Sequence, residues 1–570
     1  MSTPITHEAA AQKEYDFIVV GAGAGATVAA RLAENPNFSV LLVEAGKIEQ
    51  PIEHIIVPLL GIHASSHPEF NWQYQLTPQQ GLNDRIIPYP RGKAIGGTFQ
   101  TNILFALRGP TSDWDRLARD TGDEGWSWEN MLPFAKKLER FVPPTSGWDY
   151  TQDFDTTSSG ADGPIRIAIA NQPTEGPKLI IEAAKKQGIF NTNVNDGEMM
   201  GVGWLPGTNG GGIRSTPADY LATPKSNLDI LTSAQVTKIL FDTTGDIPVA
   251  TGVEYARDAS SPRFQVKAKK EVIISGGSIG SPHILLHSGI GDAAELTKLG
   301  IPIVKDLPDV GKHMQDHHIL FGPHWRVNNK NTFDSLLQDQ SFGQQEGEKF
   351  ATNKSGLLAN TLGQGVGFWR VPDDASIWNE FKDISAGQNA PHIEVLFTDG
   401  YVEGHPPTDP GNYFSCATLT LTPHARGSVT ITSNDPFEFP AINPNLVGTK
   451  HDLYIAREAV KKARDLIKNA GTKDYFIEEY GALAQLKTDE EIEGHAKNNA
   501  VSCWHPTSTA VISAKGSPNG VLDPDMKVKG VKGLRVIDAS VFPYIPASHT
   551  QIPVLMVAER GAHLIATEHS

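Results

Sequence analysis

Cysteine is nearly absent, with two residues, Cys416 and Cys503, in a chain of 570. They stand far apart and outside any Cys-x-x-Cys or Cys/His spacing, which argues against a disulfide framework, a redox dithiol or a zinc motif, so no metal is expected. Clustered positive charge is also missing. Against 65 Asp and Glu there are 49 Lys and Arg, a formal net charge of −16, and no basic run stands out. Nucleic acid and anionic membrane surfaces are therefore not expected as partners. No apolar run reaches the roughly 20 residues of a membrane span, and Met1 to Glu14 holds no apolar core like that of a secretory leader. The expectation is a soluble, cytoplasmic protein, or a secreted one if a leader has been trimmed. Internal repeats and low-complexity tracts are lacking too, which argues against a solenoid.

What is present begins with a length and a 39% hydrophobic content that exceed one compact core, so two closely joined domains are expected. Tyr15-Asp-Phe-Ile-Val-Val20 is a β-rich apolar run of the kind buried on both faces of a parallel sheet. A glycine turn follows, then an alanine-rich stretch from Ala24 to Glu34 with Val28 and Leu32 on one helical face, ended by Asn35-Pro36-Asn37. A second strand, Ser39 to Glu44, completes a unit of the type that binds dinucleotides.

In the turn, Gly21-Ala-Gly23-Ala-Gly25 allows backbone N–H groups to approach a pyrophosphate at the helix N-terminus. It reads GxGxG where the usual fingerprint is GxGxxG, as if one residue were missing before the third glycine. Glu44, at the end of the second strand, is placed to accept hydrogen bonds from ribose hydroxyls, and its charge argues against a 2′-phosphate. The unit alone does not separate NAD from FAD.

Regular pattern then lapses until about residue 225. Strands are expected again at Leu228 to Thr232, Val236 to Phe241, Ala250 to Tyr255 and Glu271 to Ser275, extending the first sheet. From about 325 to 500, the alternating run Tyr413 to Thr422, the strand Ser428 to Thr432 and a helix from Asp452 to Ala470 predict a sheet-plus-helix substrate domain. A strand at Gly533 to Asp538 and a long helix from Pro553 to Ala566 close the chain.

Five segments carry a resemblance. Gly277-Ser-Ile-Gly-Ser-Pro282 through Gly291 and Pro90-Arg91-Gly92-Lys93-Ala-Ile-Gly96-Gly97-Thr98-Phe99-Gln-Thr-Asn102 through Arg108-Gly109 are two of them. Pro423-His-Ala-Arg426-Gly427, Trp504-His505-Pro506 and Leu534-Arg-Val-Ile-Asp538 are the others. Together they resemble glucose-methanol-choline oxidoreductases. Thr121 to Trp128, Ser233 to Lys238, Asp523 to Lys529 and His549-Thr-Gln-Ile-Pro553 are most similar, within that family, to fungal aryl-alcohol oxidases.

The resemblance implies an α/β fold: a Rossmann-type FAD-binding domain (14–65, 225–320 and 515–570) interleaved with a substrate domain on an antiparallel sheet with helices (66–224 and 321–514). It implies non-covalent FAD, held by Gly21, Gly23, Gly25, Glu44, Arg91, Gly97, Asn102, Asp538 and the backbone of Val236. It further implies oxidation of a small aromatic or allylic primary alcohol, with oxygen or a quinone as electron acceptor. His505 would be the base and His549 the group that orients the alcohol oxygen; an imidazole suits proton transfer because its ordinary pKa is about 6.5. Trp504, Phe99, Phe397 and Tyr401 are the expected pocket residues. His317-His318 falls on a family segment expected to pack near flavin rather than react.

Three departures from the family pattern fall where flavin should lie: the glycine spacing, Thr98-Phe99 in place of Ser-Ser, and Ser508 in place of glycine after His505-Pro506-Thr507. Each is expected to add bulk or alter backbone near the cofactor. They keep a second reading open, in which FAD is structural and the pocket serves a lyase, cyclase or isomerase.

Overall fold

The computed structural model describes residues 4–47, 53–403 and 407–570. Its first sheet grows from the strand Glu14–Val20, buried at six of seven positions. That strand lies parallel to Val40–Val43 on one side and to Phe264–Ile274 on the other. Leu228–Leu231 extends the parallel part beyond Val40–Val43. The 11-residue strand Phe264–Ile274 is shared: its first half pairs antiparallel with Val249–Ala256, and its last three residues pair parallel with Leu534–Val536. Gln235–Asp242 closes the antiparallel edge.

The unbroken apolar runs read from the sequence follow from this arrangement, because a parallel sheet is covered on both faces. Helix Ala24–Leu32 packs against the C-terminal helix Gln551–His569, and Arg31 holds the buried Glu559 of that helix at 2.8 Å. The turns after Val20 and Ile274 emerge side by side at the carboxyl ends of adjacent parallel strands, where open α/β sheets bind ligands.

The second sheet is antiparallel. Its order is Phe476–Tyr480, His318–Val327, Tyr413–Thr420, Ile393–Asp399, Gly365–Trp369 and Gly201–Trp204, with Val501–Ser502 also paired to His318–Val327. The alternation in Tyr413–Thr420 predicts one wet face, yet every residue of that strand is buried. One face packs under helices Lys450–Ala470 and Glu175–Gln187, in a core holding Phe397, Phe414 and Cys416. The opposite face joins a core containing Phe105, Ile319, Leu396, Ala417 and Cys503. Side chains alternate across a strand, so parity alone assigns each residue to the helix side or to the other side.

Ser428–Thr430 does not join this sheet. It forms a separate ribbon with Ala441–Asn443, and the loop between them carries Pro436 to Pro440 to the wall of the main cavity. Among the described residues no helix is long and apolar enough to cross a membrane.

Candidate active site

Between the two sheets lies a cavity of about 250 Å³. At its nucleotide end stands the turn of Gly21 and Gly23. Gly21 has φ +94°, and a Cβ there would meet the Ser275 carbonyl oxygen at 2.4 Å, so only glycine lets the two sheet-end turns approach this closely. Helix Ala24–Leu32 starts at Gly23 with no side-chain cap, leaving first-turn N–H groups for an anion. Across the cavity Gly97, φ +55°, approaches Gly23; a Cβ on Gly97 would lie 2.9 Å from the Gly23 Cα.

Glu44 is buried and accepts from the backbone N–H groups of Ala22 and Gly46, both at 2.8 Å. Burial pushes its carboxyl up to about 7, against the pull of those N–H groups and Lys93. Val236 lines the cavity near this end. Asp538 accepts from Gly277 N–H (2.9 Å) and the Ser281 hydroxyl (2.5 Å), and so anchors the turn after Ile274 while itself facing the cavity. A glycine cradle, an uncapped helix end and a carboxylate one strand away fit a dinucleotide such as FAD.

Two expectations about the glycine loop are corrected here. Gly25 does not line the cavity: a Cβ on it would lie 2.8 Å from Val19 Cγ1 and 2.9 Å from Ser275 Cβ, so it serves close packing of helix on strand. Nor is the loop a residue short. The third fingerprint position, three beyond Gly23, is held by the fully buried Ala26, and a small residue there meets the same packing need. Ser508 takes a left-handed backbone that favours glycine, at φ +70°, and is buried outside the cavity wall, so its side chain adds no bulk toward a cofactor.

At the other end of the cavity the loop before His505 is fixed by Asp316. Its Oδ1 accepts from His505 N–H (2.8 Å); its Oδ2 accepts from the Tyr89 (2.5 Å) and Ser502 (2.6 Å) hydroxyls. Burial pushes the Asp316 carboxyl up to about 6 despite these donors. Arg91 donates to the Trp504 carbonyl at 2.6 Å, and Trp504 takes φ +60°. Tyr89→Phe is expected to lower stability by about 1.5–3 kcal/mol, the value of a hydrogen bond to a charged group. Urea unfolding checks this, and an unchanged midpoint would mean that Asp316 does not depend on Tyr89.

Four side chains then form a line. His317 Nε2 lies 3.1 Å from the Leu421 carbonyl, His317 Nδ1 lies 3.0 Å from His505 Nδ1, His505 Nε2 lies 3.1 Å from His549 Nδ1, and His549 Nε2 lies 3.0 Å from Glu394 Oε1. The protons can be assigned by their partners. A carbonyl only accepts, so His317 carries its proton on Nε2 and presents a bare Nδ1; burial and His549 hold this imidazole down at about 3, hence neutral. His505 must therefore donate from Nδ1, which leaves its Nε2 lone pair exposed to the cavity. The Glu394 carboxylate, fully buried, requires a proton on His549 Nε2. His505 Nε2 and His549 Nδ1 then face each other at 3.1 Å, with room for one proton between them.

Of the expected site residues, His505, His549, Trp504, Phe99, Glu44, Arg91, Gly97, Asn102, Val236, Asp538, Gly21 and Gly23 all line this cavity. Asn102 does so with its amide donating to Gln551 Oε1 at 2.8 Å. Phe397 does not: it points to the helix side of its sheet and lies across Gly365 of the next strand. Tyr401 is also elsewhere, its hydroxyl on Glu403 and its ring 4.5 Å from that of His324. Glu394, His317 and Cys503 were missed as site residues. The one signal for Glu394 was a lone carboxylate inside the apolar run His392 to Phe397; His317 sat on a segment read as packing.

Comparison with known proteins is consistent with this geometry. Models of the GMC oxidoreductase family match residues 15–319 and 423–558. Dehydrogenase eriK of Hericium erinaceus is 34% identical, over 97% of this chain and 94% of its own. Pyranose dehydrogenase 3 of Leucoagaricus meleagris is 33% identical, over 98% and 94%. A formate oxidase of Aspergillus oryzae superposes with a TM-score of 0.87 at 29% identity, covering 98% of this chain and 99% of its own. A fungal aryl-alcohol oxidase matches less well, at 25% identity and a TM-score of 0.82, so the subgroup expectation is not favoured over these other branches. The formate oxidase also overturns one cofactor expectation: two of its structures address the effect of an arginine substitution on FAD modification, so strictly unmodified, non-covalent FAD does not carry over to this chain.

Proposed function

The chain belongs to the GMC oxidoreductase family and is an FAD-dependent enzyme of that family, and from this premise we propose that it oxidises a small aromatic or allylic primary alcohol to the aldehyde, with His505 as base. The observation that carries the reading is that His505 Nε2 and His549 Nδ1 face each other 3.1 Å apart in the cavity wall. An alcohol R–CH2–OH set against this pair gives its hydroxyl proton to His505 Nε2 as the carbon loses hydride. Bound FAD supplies the hydride acceptor, and oxygen or a quinone takes the electrons onward. His505 holds the proton, its ring kept in the accepting tautomer by His317. His549, aimed by Glu394, places Nδ1 beside the same oxygen, and a proton on that nitrogen steadies the charge that develops there.

An apolar wall supports a small apolar alcohol over a sugar. Phe105 meets His549 edge-on at 5.0 Å, and Ile103, Ile319, Phe321, Leu362 and Trp504 line the same cavity. The Gln551 amide is already committed, to Asn102 and to the carbonyls of Leu104 and Phe105, so it offers little to ring hydroxyls, and an unpaired buried hydroxyl is unfavourable. Anaerobic mixing with benzyl alcohol, cinnamyl alcohol and glucose tests this. The first two are expected to bleach the visible flavin absorbance; bleaching by glucose alone would sink the substrate assignment. Conversion of an alcohol without any bleaching would favour the non-redox reading.

The pH dependence has a definite sign. Burial first, then His549, His317 and Arg91, push the His505 imidazole well below its ordinary value. The neutral, accepting form therefore persists on the acid side of about 6.5. The rate of flavin reduction by the alcohol is expected to stay level from pH 8 through pH 6.5, and a fall centred near 6.5 would mean that the reacting base titrates as an ordinary imidazole and that burial does not depress His505.

A further inference from the structure

The reacting end holds a third group that the alcohol chemistry does not use. Cys503 Sγ lies 3.8 Å from His505 Nε2, and Cys503, His505 and His549 each offer a ligand atom within 4.8 Å of the others. We propose that these three side chains form a binding site for a thiophilic divalent cation, zinc being the best fit, and that its occupancy is antagonistic to alcohol oxidation because both need the same lone pair on His505.

Two of the three separations come near those of a tetrahedral site, and the third is within 4.8 Å. Zinc–nitrogen bonds of about 2.0–2.1 Å and a zinc–sulfur bond of about 2.3 Å give tetrahedral edges of roughly 3.3 Å between nitrogens and 3.6 Å between sulfur and nitrogen. The structure has 3.1 and 3.8 Å. The lone pairs are also aimed correctly. His505 is held from behind at Nδ1 by His317, and His549 at Nε2 by Glu394, the arrangement by which outer groups fix the tautomer of ligating histidines. The two facing nitrogens leave room for one cation between them, a proton or a metal ion.

Charge points the same way. Glu394 is fully buried, and its Oε2 has no hydrogen-bond partner. A cation two bonds beyond His549 would offset it. Binding displaces the thiol proton to the buffer, Zn²⁺ and R–SH giving Zn–SR⁺ and H⁺, with no change of oxidation state. Thiolate, two neutral imidazoles and Glu394 together then balance the metal charge. All three ligands line the cavity, so the fourth coordination position faces the space an alcohol would enter. A second cluster, Glu271, Glu568 and His569, has similar spacing but already holds Arg535 against both carboxylates, and so carries no free charge for a metal.

The test is equilibrium dialysis of the FAD-loaded protein against zinc chloride with metal analysis, together with titration by cadmium chloride followed through the ultraviolet thiolate-to-cadmium band. One zinc per chain and a cadmium band are expected. Cys503→Ser should abolish the band and weaken zinc at least 10-fold; Glu394→Gln should weaken it by about 10–100-fold. Glu568→Gln should change neither. Only one other thiol exists, Cys416, buried in the core on the far face of the substrate sheet, so Cys416→Ser must keep the band; that variant decides the matter even if Cys503→Ser fails to fold. No bound zinc in the unmodified protein, or unchanged affinity in Cys503→Ser, would overturn the proposal, as would zinc lost on Glu568→Gln.

Discussion

Replacing His505 by alanine is expected to slow flavin reduction by the alcohol by about 10²–10⁴-fold, the span of a positioned general base. In the proposed mechanism the mutation removes the atom that receives the hydroxyl proton, and it leaves the nucleotide end untouched, since the Gly21 turn and Glu44 are built from other segments. FAD content should therefore stay at one per chain. Anaerobic single-turnover mixing measures the rate, and the resting visible spectrum measures the cofactor. His549→Ala, which loses only an orienting donor, is expected to lose about 10²–10³-fold. Equal, small effects in both variants would mean that proton removal is carried elsewhere.

Gly21→Ala is expected to yield protein with little or no FAD, its affinity lowered by roughly 10²-fold or more. Two terms add at this position. An L-residue at φ +94° is strained by about 1–2 kcal/mol, and a Cβ at 2.4 Å from the Ser275 carbonyl oxygen meets backbone that has no rotamer to yield, adding about 1–3 kcal/mol. Relief comes only by parting the turns after Val20 and Ile274, which are the two walls of the nucleotide cleft. Gly23→Ala separates this from direct contact with the cofactor. A Cβ there finds nothing of the protein nearer than 3.9 Å, so that variant should keep its thermal stability and lose FAD by obstruction alone. If Gly21→Ala binds FAD normally, the cleft does not depend on the close approach of these turns.

The two variants probe the parts of the molecule that differed most in how readily the sequence disclosed them. The strand, turn, helix and second strand from Glu14 to Val43 form one contiguous unit, and each part has a local cause: β-branched residues, glycine, alanine spacing and a proline stop. Its one misreading, a missing residue in the glycine loop, arose because Gly25 was taken as the third fingerprint position, which Ala26 occupies. The strands from Leu228 to Ile274 were legible for the same reason. Those of the substrate sheet were less so. His318–Val327, second from one edge, contains Gly322-Pro323 and two histidines, and reads as no strand. Its place comes from pairing with Tyr413–Thr420, which is remote in the chain.

The sequence by itself determined the family and the nucleotide-binding unit and singled out His505 and His549 as candidates, because each is written in a short contiguous motif. Tertiary structure alone decided that Glu394 and His317 stand behind those histidines and that Cys503 stands beside them. These groups come from separate strands and loops, and no spacing links them. It also decided that Glu394 reaches His549 while Phe397 does not. The two lie on one strand with opposite parity, and the face each residue takes follows from how that strand pairs with its neighbours, which local sequence does not encode.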